Sequence, residues 1–200
     1  MNYPNGQRSK LIINTKKEKK MNNARLGVNF EELINKSNEY YLNNNIAVVY
    51  KKPTPIQITK VDYPSRNKAK ITEAFYKIPS TTDYNGIYKG YYIDFEAKSC
   101  KGTSFPFKSI YQHQLKHLQR VQEHGGIAFL LIMFNDFKEI FLLKSSILLE
   151  LYQDSLNGGR KSIPYEFFKE NAESIKLGYL LPVDYITAIN NVFLRGKNNA

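Results

Sequence analysis

The chain has 200 residues, a formal net charge of +11 and a single cysteine, Cys100; hydrophobic residues make up 42% and charged residues 24%. That length and balance describe one domain able to bury a core, and they exclude a generally disordered chain and a disulfide-stapled secreted module. No apolar run reaches the roughly eighteen residues of a membrane span, and the opening M-N-Y-P-N-G-Q-R-S-K lacks the apolar core of a signal peptide, so a cytosolic protein is expected.

The charge is not spread evenly. Residues 1–25 carry seven Lys or Arg against Glu18, net +6; residues 50–70 carry six against Asp62, net +5; the remainder sums to zero. Two basic segments point to an anionic polymer, nucleic acid ahead of a membrane surface, as the partner.

In chain order, residues 1–24 are polar, Asn-rich and basic, and are expected to be a mobile tail in front of a domain covering 25–200. From residue 28 the spacing of Phe30, Leu33, Ile34, Ser37 and Tyr41 predicts a helix, with Asn29 as cap and an end near Asn43-Asn44-Asn45. Residues 46–50 read as a short strand. The stretch 51–79 holds Pro53, Pro55, Pro64 and Pro79 among basic residues and aromatics, which argues against a central strand or a continuous helix. Alternation at 56–58 and 60–62 predicts extended edges within a projecting insertion. Lys51, Lys52, Arg66, Lys68 and Lys70 would contact phosphates and Tyr63, Phe75 and Tyr76 would stack on unpaired bases; the plainer reading is a solvated loop whose aromatics tuck into the body.

Residues 92–98 alternate, placing Ile93, Phe95 and Ala97 on one strand face and Asp94, Glu96 and Lys98 on the other. A helix is predicted over 111–124 with Leu115, Leu118 and Val121 inward and Gly125-Gly126 as its stop. The continuous apolar run 127–134 predicts a central strand buried on both faces, and a second strand follows over 137–143. Helices are expected over 146–153 and, led in by Pro182, over 183–193, with a turn at Asn157-Gly158-Gly159 between them. This order gives an α/β sheet flanked on both sides.

Acidic residues are depleted in strands, so a strand face carrying Asp94, Glu96 and Lys98 needs a reason. Asp83, thirteen residues before Glu96-x-Lys98, supplies one. Two hard oxygen donors can hold a divalent cation that keeps its waters, and an ammonium two residues along the face can orient water or stabilise charge on a phosphate. This is the spacing of the PD-(D/E)xK nucleases, with Thr82 at the proline position; its plain alternative is a solvated face of cross-neighbour ion pairs. Three other patterns lead nowhere. Gly86-Ile87-Tyr88 and Tyr91-Tyr92-Ile93 lie too close together for a GIY-YIG nuclease, His113 and His117 at i and i+4 have no third zinc ligand at zinc-like spacing, and no phosphate-binding glycine loop with a following Lys-Ser/Thr is present. Cys100 reads as a bystander at the strand's end.

The segments Lys51-Lys52-Pro53-Thr54-Pro55-Ile56-Gln57-Ile58, Ser80-Thr81-Thr82-Asp83-Tyr84-Asn85-Gly86 and Tyr92-Ile93-Asp94-Phe95-Glu96-Ala97-Lys98 resemble those of the RecU family of Holliday junction resolvases, as do Phe105-Pro106-Phe107, His113-Gln114, Gly125-Gly126-Ile127 and the segment 158–163. The resemblance spans about residues 24–193. It implies a restriction-endonuclease-like mixed α/β sheet flanked by helices, with 51–79 as a stalk projecting toward the junction centre. It further implies a homodimer that nicks four-way DNA junctions symmetrically, with Mg²⁺ or Mn²⁺, in recombination and repair, recombinase and branch-migration proteins as further partners, and no membrane. It places Thr81, Asp83, Glu96 and Gln114 at the metal, Lys98 as transition-state stabiliser and Glu31 near the site. Two places depart from the pattern: Ala24-Arg25-Leu26-Gly27 carries an extra residue, so Arg25 receives no role, and the loop 99–104 is one residue short, which leaves Gln112 as the alternative to Gln114.

Two other classes compete with a nuclease: a non-catalytic junction-binding or recombinase-regulating protein on the same fold, and a peripheral membrane protein using the basic tail. If phosphate contacts carry affinity, junction binding measured in filter or gel assays should fall by about 10³ or more between about 50 and about 200 mM salt for six or more contacts. A flat salt response would contradict the charge reading.

Overall fold

The computed structural model describes residues 29–65, 67–77 and 81–195. The expected tail, Val28 at the start of the predicted helix, Arg66 and the segment 78–80 lie outside the described residues.

Helix α1 (Phe30–Asn43) forms where the 3.6-residue spacing placed it and buries Phe30, Ile34, Ser37, Asn38 and Tyr41. Strands β1 (Val48–Lys51), β2 (Ile56–Asp62), β3 (Lys70–Tyr76), β4 (Tyr84–Tyr88) and β5 (Tyr91–Cys100) follow. After β6 (Ser104–Pro106), a 3₁₀ turn at Phe107–Ser109 leads into α2 (Gln112–Glu123), then β7 (Ile127–Phe134), β8 (Glu139–Lys144), α3 (Ser145–Leu156), β9 (Ser162–Pro164), α4 (Tyr165–Asn171), β10 (Glu173–Ile175) and α5 (Tyr185–Ile189).

Six strands form one sheet in the order β1-β4-β5-β7-β8-β10. The pair β5–β7 is parallel and every other neighbour is antiparallel. A parallel pair needs a crossover, and the chain from β6 through α2 supplies it. That crossover brings α2 over the β5 face that carries Asp94 and Glu96. Gly125, at φ 81°, turns the chain out of α2 and into β7.

Two cores lie on the two faces of the sheet. Ile93, Phe95, Phe129, Leu131 and Met133 pack with α1 and α5. Ala128, Leu130, Ile132 and Phe134 pack with Leu115 and Leu118 of α2, Leu148 of α3 and Phe168 of α4. All eight residues of β7 are buried, as the continuous apolar run predicts. Across the first face Tyr84, Phe95 and Phe129 sit in register on three adjacent strands, their rings stacked 4.9 and 4.8 Å apart. This ladder clamps the start of β4 against the middle of β5, and so brings Asp83 beside Glu96.

Strands β2 and β3 pair only with each other, and every residue in both is exposed. Exposure of both faces means that the hairpin stands clear of the body, which is the expected stalk insertion. Tyr63 is 62%, Phe75 60% and Tyr76 83% exposed, so the aromatics do not tuck into the body.

Other differences are local. The helix expected over 183–193 ends early as α5 and continues as a single π turn, Asn190–Leu194; Asp184 caps it by accepting from Thr187 N–H at 3.1 Å. Helix α4 and the short strands β6, β9 and β10 had no sequence expectation, because three-residue strands carry too few residues to show a period. Removing the central ring of the ladder with Phe95→Ala should destabilise the protein by about 3–5 kcal/mol in chemical denaturation.

Candidate active site

Strand β5 presents Glu96 toward α2, opposite Leu130 of β7, so the carboxylate stands in apolar surroundings and is fully buried. Its Oε1 accepts from Lys98 Nζ at 2.6 Å and from Gln114 Nε2 at 2.5 Å. Gln114 is itself fixed, because its Oε1 accepts the Tyr111 N–H at 2.9 Å at the start of α2. The other oxygen, Glu96 Oε2, is buried and has no hydrogen-bond partner among the described residues.

Asp83 closes on the same point. The β4–β5 ladder ends at Tyr84–Phe95, and beyond it Asp83 Oδ2 takes over as acceptor for the Ala97 N–H at 3.2 Å. Burial, and then the nearby Asp83 charge, push the Glu96 carboxyl from 4.5 up to about 8, with Lys98 opposing. Two carboxylates that repel, one with a buried oxygen lacking a donor, suit a hard divalent cation that keeps several waters. Among the described residues no three His, Cys, Asp or Glu side chains converge into a cage, so amide, hydroxyl or water oxygens would complete the shell.

The remaining expected residues are distributed as follows. Thr81 is half-buried on the Asp83 loop, where its hydroxyl donates to Thr82 O at 3.4 Å. Glu31, at the start of α1, pairs with Lys51, both about half exposed, and the pair is not joined to Glu96 by any hydrogen bond. Lys52 turns inward, its ammonium on Thr82, Asp94 and His117. Lys68 and Lys70 are exposed with Tyr63, Phe75 and Tyr76 on the hairpin and its tip. Gln112 is exposed whereas Gln114 is buried on Glu96, so the geometry selects Gln114 of the two. The two helix histidines do not share a site. His113 stacks on Tyr111 at 5.5 Å, and His117 Nε2 lies 3.0 Å from Asp94 Oδ2. Burial holds the Cys100 thiol up at about 11, which suits an unreactive side chain.

Sequence reasoning gave Asp94 no partners. It is fully buried and accepts from Thr82, Lys52 and Tyr92, with His117 alongside. The period-two pattern placed Asp94 on the Glu96 face, but no spacing rule joins positions 52, 82, 94 and 117.

A model of the family described as Recombination protein U matches residues 25–191. The chain is 47% identical over 196 residues to the Holliday junction resolvase RecU of Oceanobacillus iheyensis, an alignment covering 96% of this chain and all of that protein. It is 46% identical over 194 residues to the proteins of the same name from Bacillus thuringiensis strain Al Hakam and Bacillus anthracis strain CDC 684, covering 96% of this chain and 97% of each. No helix among the described residues is long and apolar enough to cross a membrane. The buried acidic strand, the crossover helix above it and the full-length match all agree: the chain belongs to the Recombination protein U family.

Proposed function

We propose that the chain is a structure-selective endodeoxyribonuclease that resolves Holliday junctions with Mg²⁺, or Mn²⁺ in its place, acting as a homodimer. The observation that carries this reading is the Asp83–Glu96 pair, with Glu96 Oε2 lacking a hydrogen-bond partner among the described residues and the Lys98 ammonium 2.6 Å from Glu96 Oε1. Asp83 and Glu96 would hold the cation, with Thr81 and Gln114 assisting. A divalent cation there supplies Lewis acidity toward the scissile phosphate and lowers the pKa of nearby water.

The chain's own residues do the rest. Gln114, held by the first turn of α2, donates to one Glu96 oxygen and leaves the other free to face the cation. Lys98 spends one N–H on Glu96 and has two more for the attacking water or a phosphate oxygen, where charge grows in the transition state. Burial of Glu96 against β7 strengthens these interactions by lowering the local dielectric. The exposed aromatics and lysines of the hairpin would meet the open junction centre, where bases are accessible.

Resolution requires two cuts at equivalent positions on like strands, which two symmetry-related sites provide. An exposed stripe on β1, β4 and β5, formed by Val48, Tyr50, Ile87 and Tyr92, supports self-association. The work of the enzyme would lie with recombinase and branch-migration proteins in the cytoplasm.

Incubated with a synthetic mobile four-way junction and Mg²⁺, the protein should produce paired symmetric nicks. Asp83→Ala and Glu96→Gln should lower the rate by about 10³ and Lys98→Ala by about 10² or more, with junction binding retained. Tight junction binding with no nicks in any divalent metal would favour the non-catalytic reading instead.

The raised Glu96 carboxyl yields a second expectation. Between 4.5 and about 8 the metal-free fold keeps a proton that the unfolded chain has released, so its stability falls as pH rises through that window and levels off above it. Cation binding displaces that proton. Affinity for Mn²⁺ should therefore climb by up to about tenfold per pH unit until about pH 8. Thermal melts with and without Mn²⁺ should show a shift that widens over this range and vanishes in Glu96→Gln.

A further inference from the structure

We infer that Asp94 is a positioning residue for the metal-binding carboxylates, acting through Thr82 and Lys52; this rests on the metal-site reading above. Asp94 lies two residues before Glu96 on the same face of β5, opposite Ala128, and is fully buried. A lone carboxylate in such a place is strongly disfavoured unless paired and hydrogen-bonded. Here it is saturated. Oδ1 accepts from the Thr82 hydroxyl. Oδ2 accepts from Lys52 Nζ at 2.7 Å and Tyr92 OH at 2.9 Å, with His117 Nε2 at 3.0 Å.

The identities of those partners give the cluster its purpose. Lys52 is the residue by which the chain leaves β1 for the exposed hairpin, and Thr82 is on the returning segment, immediately before Asp83. The two are also tied directly to each other: Lys52 N–H donates to Asp83 O at 2.7 Å, and Lys52 Nζ donates to the Thr82 hydroxyl at 3.0 Å. His117 is on α2, three residues after Gln114, so the helix that holds Glu96 through Gln114 also touches Asp94. One buried anion therefore fastens four pieces of chain: the strand bearing Glu96, the loop bearing Asp83, the helix bearing Gln114, and the outgoing foot of the hairpin. The loop bearing Asp83 is held by Asp83 itself, whose carbonyl accepts the Lys52 N–H and whose Oδ2 accepts the Ala97 N–H, and Asp94 adds a third tie through Thr82. The loop's ladder hydrogen bonds to β5 end at Tyr84, and Thr82, only 3% exposed, gives its hydroxyl to Asp94. The hydrogen bonds of Asp94 go to the neighbours of Glu96 and Asp83, and through them it sets where the two carboxylates stand.

The test uses the full chain and Mn²⁺ alone as probe. In isothermal titration calorimetry, Asp94→Asn, which keeps the shape and loses the charge, should weaken Mn²⁺ binding by about 10–100-fold. Junction binding measured in EDTA should stay within about threefold, since the exposed Lys68, Lys70, Tyr63, Phe75 and Tyr76 of the hairpin are unaltered and Lys52 keeps its charge. The Mn²⁺ midpoint for junction cleavage should move by the same factor, and saturating Mn²⁺ should restore most of the rate, a rescue that a merely unfolded variant would not show. Thr82→Val removes the hydroxyl that joins the Asp83 loop to both Asp94 and Lys52 and leaves the Asp94–Lys52 pair itself; it should shift Mn²⁺ affinity in the same direction by a smaller factor. Unchanged Mn²⁺ affinity in a folded Asp94→Asn or Thr82→Val protein would overturn the inference and leave the metal site standing. Absence of Mn²⁺ binding to the unaltered chain would overturn both.

Discussion

Two carboxylates two residues apart on the buried face of one strand are the constraint around which this molecule is arranged. Burial disfavours both anions, and the backbone N–H groups of β5 are engaged elsewhere, in the ladder or, at Ala97, with Asp83 Oδ2. Each must therefore be met by side chains brought from elsewhere. For Asp94 the fold supplies Lys52, Thr82 and Tyr92, with His117 beside it, and the anion is fully compensated. For Glu96 it supplies Lys98 and Gln114 on one oxygen and, among the described residues, no donor on the other, with the Asp83 carboxyl close by. The contrast between a closed carboxylate and an open one on the same face separates support from chemistry.

The open carboxylate is where the fold tolerates a cost. Glu96 would hold a proton at neutral pH if left alone with Asp83, and only a cation, or the unfolded state, removes that preference. The parallel β5–β7 pair makes such a site possible, because the crossover it demands runs over the charged face and provides a helix from which Gln114 and His117 reach down. The aromatic ladder on the opposite face performs the complementary task. Tyr84, Phe95 and Phe129 hold the strands in register from behind, and that register fixes the distance between Asp83 and Glu96.

The hairpin follows a different logic. It is exposed on both faces and would have little stability as an isolated ribbon, yet both its feet lie beside the buried carboxylates, one at Lys52 and the other just before Asp83. The part of the chain suited to meeting DNA is thus rooted beside the carboxylates that would cut it. The half-exposed Glu31–Lys51 pair stands nearby and adds little to stability.

Wherever a property depends on local pattern, the sequence determined it. The period of two in 92–98, the eight-residue apolar run of β7 and the 3.6 spacing of α1 and α2 all stated their elements without a partner in view, and the D-x(12)-E-x-K spacing named the carboxylates and the lysine that the structure brings together. Family resemblance identified Gln114 as well, and geometry then chose it over Gln112 because only one of two residues a half-turn-and-more apart on α2 can face β5. Tertiary structure alone decided what Asp94 is for. Its partners come from positions 52, 82, 92 and 117, on different elements, and an ion pair across such separations leaves no periodic trace in the chain. The same holds for the orphan oxygen of Glu96: the sequence names a carboxylate, but whether its second oxygen finds a donor depends on which side chains the crossover brings overhead, and that is a fact of packing.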